Sequence, residues 1–299
     1  MKTGIGIDLG GTQIKGALFN LDSGEIIEKK IVPSLDGETS DYEPAFLVQV
    51  RNLIAELGGE KAHHIGVSAP GMANKEATAI SYLPERLDGI EGLIWSDEIG
   101  RTVSVINDAH AALKGEVWQG SAKECRDVIF LTLGTGVGGA VICNGKLLRG
   151  SIGRAGHLGH IPIDFRKDGD ICGMPGSLED FVGNHNISER SEGKFESTHL
   201  LVTALADGDP DAESVWEESM RALAAGIAGL INIFDPEAVI IGGGISAAWF
   251  EIEFRLKRFL EDFEWRPDGH QVPVRKAELG EWAGVYGAMA FAMDEKSSK

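Results

Sequence analysis

Two glycine-rich segments contain the residue types that could bind a phosphate. Residues 6–12 read GIDLGGT and residues 133–139 read LGTGVGG, and each segment is flanked by short apolar runs typical of strands. In a strand–turn–strand unit of this kind, backbone N–H groups and a threonine hydroxyl can approach a phosphate closely, because glycine has no β-carbon. Two such turns far apart in the chain predict two related half-domains that close on one polyphosphate, and ATP is the expected polyphosphate.

The first turn also has charged side chains beside it. Asp8 lies at the end of a predicted strand, where its carboxylate could hold Mg²⁺. Lys15 could add a positive charge near the phosphates, or it could be a solvated strand residue. The Asp and Gly residues could also satisfy only the geometry of a turn, but the presence of the second turn favours phosphate binding. The predicted ATP-binding residues are Asp8, Gly10, Gly11, Thr12, Lys15, Gly134, Thr135, Gly136, Gly243 and Gly244.

Two further glycine patterns need separate interpretations. Residues 242–244 follow a predicted buried strand and precede a predicted helix, so they could let adenosine lie against the backbone or form an ordinary strand–helix turn. Residues 134–139 have the G-x-G-x-x-G spacing of a dinucleotide site. That motif must open a helix, whereas these glycines open a predicted strand, and a dinucleotide site is therefore excluded.

Asn107 and Asp108 lie where a predicted buried strand ends and a predicted helix begins. Both residue types are favoured as helix N-caps, and capping alone is one interpretation. The other is catalytic, because phosphoryl transfer needs an oriented nucleophile and a nearby carboxylate. Asp108 is therefore a candidate for that carboxylate.

Alternating strands and helices must position these groups. Three strands are predicted over residues 3–32, strands flank the second turn over residues 127–143, and the longest helix is predicted over residues 210–234. Residues 150–185 show little periodicity and are predicted to be mostly loop. These patterns predict an α/β fold with two lobes. The predicted lobes are residues 1–107, with the helix at 282–293 packing back on them, and residues 108–281.

Composition limits the classes of partner. The 299 residues exceed the usual size of one domain, and the formal net charge of −18 argues against nucleic acid or an anionic membrane, because either needs a basic surface. No apolar run is long enough to suggest a membrane span. The three cysteines, Cys125, Cys143 and Cys172, form no paired motif. A reducing cytoplasm is therefore the predicted compartment.

Taken together, the motifs resemble the ROK family of sugar kinases and repressors. The resemblance covers nearly the whole chain and rests on GIDLGGTQIKGALF, SAPG, IND with AHAAL, LGTGVGGAVICNGKLLRG, GRAGHLGH, GSLE and IGGGIS, in that order. It implies the two-lobed actin-like ATPase (ribonuclease H-like) fold, with a ligand cleft between the lobes. The repressors of the family carry an additional N-terminal DNA-binding segment, and here the phosphate hairpin begins at residue 4, so a kinase is expected.

The resemblance also implies roles for individual residues. Asp108 is expected to be the general base, and the second glycine turn is expected to contact the transferred phosphate. ATP and Mg²⁺ are the implied cofactors, and a homodimer is the implied assembly. The residues implied to bind the sugar are Pro70, Gly71, Asn107, His157, His160 and Glu179.

The chain departs from the family pattern at two places. The family's AGE-x-GH motif reads AGHLGH here, so His157 replaces a sugar-binding glutamate and leaves the identity of the sugar open. His157 could also pack on the site without contacting sugar. The zinc motif C-x-C-G-x-x-G-C-L-E keeps only Cys172, because Asp170 and Ser177 replace the other two cysteines. Since a structural zinc prefers four nitrogen or sulfur donors, no zinc is predicted; a makeshift site recruiting His157 or Asp170 is the alternative.

The resulting hypothesis is a glucokinase-like transferase that phosphorylates a hexose, at O6, from ATP. The alternatives are a kinase for fructose or an N-acetylhexosamine, a non-catalytic sugar sensor, and a kinase that uses polyphosphate. Intact Asp8, Asn107 and Asp108 argue against the sensor. The strongly negative net charge argues against polyphosphate, which would need a basic groove.

Overall fold

A computed structural model describes residues 1–40, 42–170 and 172–297, and its secondary structure is α/β. The chain forms two compact units. The first comprises Met1–Glu124, Arg149–Ala155 and Glu278–Lys299, and the second comprises Cys125–Leu148 and Gly156–Ala277. Each unit is described separately below, with strands and helices numbered in chain order.

The first unit is built on a five-stranded sheet. Its strands are β1 (Thr3–Leu9), β2 (Gln13–Asn20), β3 (Ile26–Pro33), β6 (His64–Ala69) and β9 (Ser104–Asn107), in the order β3-β2-β1-β6-β9. β1, β2 and β3 form an antiparallel meander, while β6 and β9 run parallel to β1. Central strands covered on both faces are expected to be continuously apolar, and β1 and β6 are almost entirely buried.

Helices and short strands complete the first unit. The helices are α1 (Ala45–Glu56), α2 (Trp95–Ile99), α3 (Asp108–Gln119) and α9 (Ala283–Ser297). Two small hairpins are formed by β4 (Thr39–Ser40) with β5 (Glu43–Pro44), and by β7 (Met72–Ala73) with β8 (Ile80–Tyr82). α1 contributes Phe46, Val50, Leu53 and Ile54 to the core, and this i, i+4, i+7 spacing is the apolar face of an amphipathic helix.

Glycines allow α9 to approach the sheet and α3 very closely. A β-carbon on Gly66 of β6 would lie 1.9 Å from the carbonyl oxygen of Ala288, and one on Gly287 would lie 1.6 Å from the carbonyl oxygen of Ala111. A side chain at either position would collide with backbone, so glycine allows α9 to pack directly on β6 and on α3. Both helices are therefore packed within the first unit. The predicted boundary at 107/108 therefore falls inside the first unit, since α3 belongs with that unit and the chain leaves it at Glu124.

The second unit repeats the sheet of the first. Its strands are β10 (Val128–Leu133), β11 (Val137–Cys143), β12 (Lys146–Leu147), β13 (Ala238–Gly242) and β14 (Val274–Lys276), in the order β12-β11-β10-β13-β14. β10, β11 and β12 are antiparallel neighbours, and β13 and β14 run parallel to β10. The two sheets therefore have the same strand order and directions, as the paired glycine turns predicted.

The helices described in the second unit are α4 (Leu178–Val182), α5 (Ile187–Arg190), α6 (Thr198–Ala206), α7 (Pro210–Phe234) and α8 (Trp249–Phe263). The start of α7 is encoded locally, because the Asp209 side chain accepts hydrogen bonds from the N–H groups of Asp211 and Ala212 and Pro210 occupies the first helical position. The apolar face of α7 includes Trp216, Met220, Leu223 and Ile227, which pack in the core of this unit.

The segment over residues 150–185 is mostly irregular, as predicted, with a 3₁₀ turn at Leu158–His160 and the short α4. In the part of the chain that the structure describes, no helix is both long enough and apolar enough to cross a membrane.

Candidate active site

The carboxyl ends of the parallel strands in the first unit bring predicted site residues to one sheet edge. Asp8 of β1 is in register with Ser68 of β6, and Ala69 of β6 is in register with Asn107 of β9. The Ser68 hydroxyl donates a hydrogen bond of 2.9 Å to Asp8 Oδ1. Ligand-binding groups are common at this edge of α/β sheets, because loops after the strands meet there.

Asp8 is a carboxylate that retains its proton unusually well. Burial raises its pKa from an ordinary 3.8 to about 6, and the charge of Asp108 adds to this, while the Ser68 hydrogen bond and the charge of Lys15 oppose it. Two carboxylates close enough to repel each other form an anionic site to which a divalent cation would restore balance. The donor set therefore fits Mg²⁺, whose preferred ligands are oxygens.

Lys15 lies opposite Asp8 in the register of β1 and β2. Its Nζ is 2.9 Å from Glu281 Oε2 and 3.1 Å from the Glu281 carbonyl oxygen. Glu281 thus neutralises the charge of the Lys15 ammonium. Through these contacts, Lys15 attaches the segment before α9 to β2. Its predicted contact with phosphate remains a prediction.

The first glycine turn is held from the side by the chain that follows β3. The Ser34 hydroxyl donates to the Gly11 carbonyl at 2.5 Å, and the Ser34 N–H donates to the Thr12 carbonyl at 3.1 Å. The Gly10 N–H donates to the Gln13 carbonyl at 3.0 Å. Among the described residues, the N–H groups of Gly11 and Thr12 have no such backbone partner. The turn is therefore ordered through its carbonyls and leaves N–H donors for an anion.

Asn107 is the N-cap of α3, as one interpretation of the sequence predicted. Its Oδ1 accepts hydrogen bonds from the N–H groups of Ala109 at 3.0 Å and His110 at 3.1 Å. Its Nδ2 donates to Asp108 Oδ1 at 2.9 Å and to the Gly71 carbonyl at 2.8 Å. Asn107 thus orients the Asp108 carboxylate and ties it to the loop after β6.

That loop contains Pro70, which is buried, and Gly71, whose φ of 91° lies in the left-handed region. A β-carbon on Gly71 would lie 2.5 Å from the carbonyl oxygen of Tyr82. Only glycine fits there, since any side chain would combine backbone strain with a backbone collision. The sequence predicted a turn at this position, and a role in sugar binding remains a prediction.

In the second unit, the predicted nucleotide-binding glycines meet at the equivalent sheet edge. Thr132, just before the turn that follows β10, is in register with Gly242 of β13. A β-carbon on Gly243 would lie 2.3 Å from the Leu133 carbonyl oxygen, so the two backbones touch. A cavity of about 420 Å³ opens here and is lined in part by Gly134, Thr135 and Gly244. Its volume is in the range of small-ligand sites.

No sequence motif marks the other side of this cavity, where Asn184, Thr198 and His199 lie. Asn184 connects the glycine turn to α6, because its N–H donates to the Gly134 carbonyl at 3.0 Å and its Oδ1 accepts the Thr198 N–H at 2.7 Å. The neighbouring His185 N–H donates to the Thr135 carbonyl at 2.9 Å. These residues were missed because they form no motif: Asn184 and His185 lie between two short helices, and Thr198 and His199 begin α6.

Glu179 contacts the second glycine turn directly. It lies in the first turn of α4, behind the N-cap Ser177, and its side chain is buried. Its Oε2 accepts the Val137 N–H at 2.8 Å, and a β-carbon on Gly136 would lie 2.0 Å from the same oxygen. Glycine at position 136 thus lets the carboxylate pack against the turn, and the hydrogen bond joins Glu179 to the hairpin. The predicted contact of Glu179 with sugar remains a prediction.

His157 and His160 lie together, with ring centroids 6.5 Å apart and ring planes inclined by 17°. His160 Nδ1 is 2.8 Å from Asp170 Oδ2. Asp170 also accepts the N–H groups of Cys172 at 2.8 Å and Met174 at 2.9 Å. Burial raises the pKa of Asp170, but the hydrogen bonds from His160 and these N–H groups outweigh it and lower the pKa to about 2.

The same loop is where the family resemblance implies zinc. The nitrogen, oxygen and sulfur atoms of His160, Asp170 and Cys172 lie within 4.8 Å of one another. Ser177, at the fourth implied position, is instead the N-cap of α4 and accepts the Asp180 N–H. Two thiolates of a four-donor site are thus absent, and the Asp170 hydrogen bonds order the loop in their place. The three donors that remain together include Asp170, as the makeshift alternative requires, but they are one short of a closed tetrahedral site, and the absence of zinc remains a prediction.

Comparison with known proteins places this geometry in a family. A sequence profile described as the ROK family matches residues 4–295. The chain belongs to the ROK family. Among curated proteins, it is 31% identical to a glucokinase of Streptomyces coelicolor, over 97% of each chain. It is 30% identical to an N-acetylmannosamine kinase of Vibrio cholerae, over 99% of this chain and 100% of that one.

Solved structures of ROK proteins have the same fold. A ROK hexokinase from Thermus thermophilus superposes with a TM-score of 0.83 at 28% identity, covering 99% of this chain and 100% of the other. A ROK glucokinase from Streptomyces griseus, in complex with glucose and AMPPNP, superposes with a TM-score of 0.76 at 28% identity, covering 98% and 99%. The prediction of the actin-like ATPase fold is therefore confirmed.

Proposed function

We propose that this ROK protein transfers the γ-phosphoryl group of ATP to a hexose hydroxyl, and that O6 is the acceptor. The observation that supports this most directly is the Asp108 carboxylate, held by Asn107 at the carboxyl end of β9. In the transfer, the sugar oxygen forms a bond to the γ-phosphorus, the bond to the β,γ-bridging oxygen breaks, and ADP leaves. Asp108 accepts the proton of the sugar hydroxyl, which a nearby carboxylate can do without covalent chemistry.

The remaining residues are proposed to bind and orient the two substrates. Mg²⁺, when held at Asp8, supplies charge neutralisation at the phosphates. The two glycine turns bind the phosphates, and the cavity beside Gly244 receives the nucleoside, which agrees with AMPPNP binding to the Streptomyces griseus glucokinase. We assign the binding of the sugar hydroxyls to the loop after β6 and to the 3₁₀ turn at Leu158–His160. The proposed sugar-binding residues are Pro70, Gly71, Asn107, His157, His160 and Glu179.

Glucose is the proposed substrate, because the glucokinase of Streptomyces coelicolor is similar over almost its whole length. N-acetylmannosamine is the second candidate, since a kinase for that sugar is similar over the same length. His157 stands where the family has a glutamate, and this residue bears most directly on the choice. A homodimer and a cytoplasmic location remain predictions, and size-exclusion chromatography with light scattering tests the former.

A coupled assay of ADP release from Mg²⁺-ATP, run against hexoses and N-acetylhexosamines, tests the proposal. Asp108→Asn should lower kcat by about 10²–10⁴, the usual contribution of a general base. Calorimetry should show that the variant still binds the sugar. Asp22→Asn, an exposed turn residue, is the matched control and should keep full activity. Sugar or nucleotide binding by the wild type without any turnover would refute the kinase and favour a sugar sensor.

A further inference from the structure

An arginine outside every predicted motif lies against the first glycine turn. The Nη2 atom of Arg86 is 2.9 Å from the position that a β-carbon on Gly11 would occupy. The side chain is exposed, and among the described residues no carboxylate forms a salt bridge with its guanidinium. A cation therefore stands beside the turn that leaves the Gly11 and Thr12 N–H groups available.

The backbone that presents Arg86 is strained and firmly anchored. Its two neighbours, Glu85 and Leu87, have φ angles of 64° and 49°, in the left-handed region that is unfavourable for a residue with a side chain. The Leu87 side chain is completely buried, and the Leu87 N–H donates to Asp36 Oδ1 at 2.9 Å. Asp36 follows Ser34, which bonds the glycine turn. The same stretch of chain thus fixes the turn and the loop bearing Arg86.

The side chains around the first glycine turn carry more negative than uncompensated positive charge, apart from Arg86. Asp8 and Asp108 are both acidic, and Lys15 is already paired with Glu281. The triphosphate of ATP brings further negative charge to the same place. A guanidinium is planar and presents several N–H donors in a fixed geometry, which suits two phosphate oxygens at once.

We propose that Arg86 contacts the phosphates of the donor nucleotide and stabilises the phosphoryl group during its transfer. The inference rests on the proposed kinase function. Arg86 keeps its proton throughout: the sugar oxygen bonds the γ-phosphorus, the leaving oxygen stays with ADP, and the hydroxyl proton passes to Asp108. The guanidinium contributes only charge and hydrogen bonds to the oxygens of the transferred group. Arginines that act in this way in other phosphoryl-transfer enzymes contribute about 10³–10⁵ in kcat.

Steady-state kinetics of Arg86→Ala and Arg86→Lys provide the first test. Arg86→Ala should lower kcat at least about 100-fold, with the KM for sugar nearly unchanged. Arg86→Lys should recover only part of kcat, because an ammonium is a point charge and cannot bond two oxygens in one plane. Added guanidinium ion at millimolar concentration should restore part of the activity of Arg86→Ala. Arg51→Ala is the matched control, since Arg51 of α1 pairs with Glu43 and Glu98. This variant should retain wild-type kcat without a response to guanidinium.

Calorimetric binding separates this inference from the proposed function. Arg86→Ala should bind Mg²⁺-AMPPNP at least about tenfold more weakly than the wild type, but should bind AMP equally, because AMP lacks the β- and γ-phosphates. If the wild type phosphorylates no sugar but shows this contrast, the kinase proposal fails and the phosphate contact stands. If Arg86→Ala matches the wild type in both kcat and AMPPNP affinity, the inference is overturned while the kinase stands. A fall in kcat that the control shares, without guanidinium rescue, also overturns it.

Discussion

Replacing Asp8 with asparagine should stabilise the protein without ligands at neutral and alkaline pH while removing its kinase activity. The folded state raises the pKa of Asp8 from 3.8 to about 6, so the folded protein binds this proton more tightly than the unfolded chain. The free energy of unfolding therefore falls as the pH rises from 3.8 through about 6. One pKa unit corresponds to about 1.4 kcal/mol, so the ionised carboxylate lowers the free energy of unfolding by up to about 3 kcal/mol at pH 8.

The asparagine side chain keeps the shape of the aspartate and removes the charge. Its Oδ1 can still accept the Ser68 hydroxyl, which is 2.9 Å away, and the repulsion from Asp108 disappears. The gain should therefore follow pH: about 3 kcal/mol at pH 8, about 1.5 at pH 5 and about 0.5 at pH 4. These are upper limits, because Asp8 keeps partial access to solvent that screens its charge.

Urea denaturation at pH 4, 5, 6.5 and 8, followed by tryptophan fluorescence without Mg²⁺ or nucleotide, measures this gain. Asp22→Asn is the control for a general effect of lost negative charge, since Asp22 is exposed in the turn between β2 and β3. Its stability should differ from that of the wild type by less than about 0.5 kcal/mol. A gain for Asp8→Asn that does not change with pH, or a loss of stability at pH 8, would refute the electrostatic reasoning.

Three further predictions concern the second unit. Glu179→Ala should lower the free energy of unfolding by about 1–3 kcal/mol, because the Val137 N–H loses its buried acceptor, whereas Glu179→Gln should restore most of that stability in urea denaturation. His157→Glu should change the ratio of kcat/KM between glucose and N-acetylmannosamine by about tenfold or more, measured on both sugars; an unchanged ratio would place His157 outside the sugar site. Extensive dialysis against a chelator of zinc should leave activity intact after Mg²⁺ is restored. Asp170→Asn should lower the melting temperature, because His160 and the loop lose a charged hydrogen-bond acceptor.

Local signals were sufficient for much of the fold. The helix predicted over residues 210–234 has those bounds in the structure, because an aspartate cap, a proline and an apolar period of one helical turn all agree there. The glycine turns were likewise predictable, since strand–turn–strand units are encoded over a few residues. By contrast, α2 and the hairpin of β7 and β8 were not predicted, because these elements are two to five residues long and too short for any periodicity.

Contacts between distant residues could not be predicted from one sequence. The assignment of α3 to the first unit depends on the close approach of Gly287 and Ala111, which are far apart along the chain. The same applies to the Glu179 carboxylate at Val137 and to the guanidinium of Arg86 at Gly11. In each case the residue type is unremarkable in its local sequence, and only its position in the fold gives it a chemical role.

The two sheets have one topology, but their glycine turns have different chemistry. In β1 the residue two positions before the first turn glycine is Asp8, and in β10 the corresponding residue is Thr132, which is uncharged. A carboxylate that could hold a cation is thus present beside only one of the two turns. A carboxylate with a raised pKa, Asp8, and the strained residues that flank Arg86 lie beside the first turn. Destabilising features persist in proteins where function requires them. We therefore propose that Asp8 and the strained residues beside Arg86 serve phosphate binding at the first turn, while the second turn, with its neutral side chains and adjoining cavity, also binds phosphate.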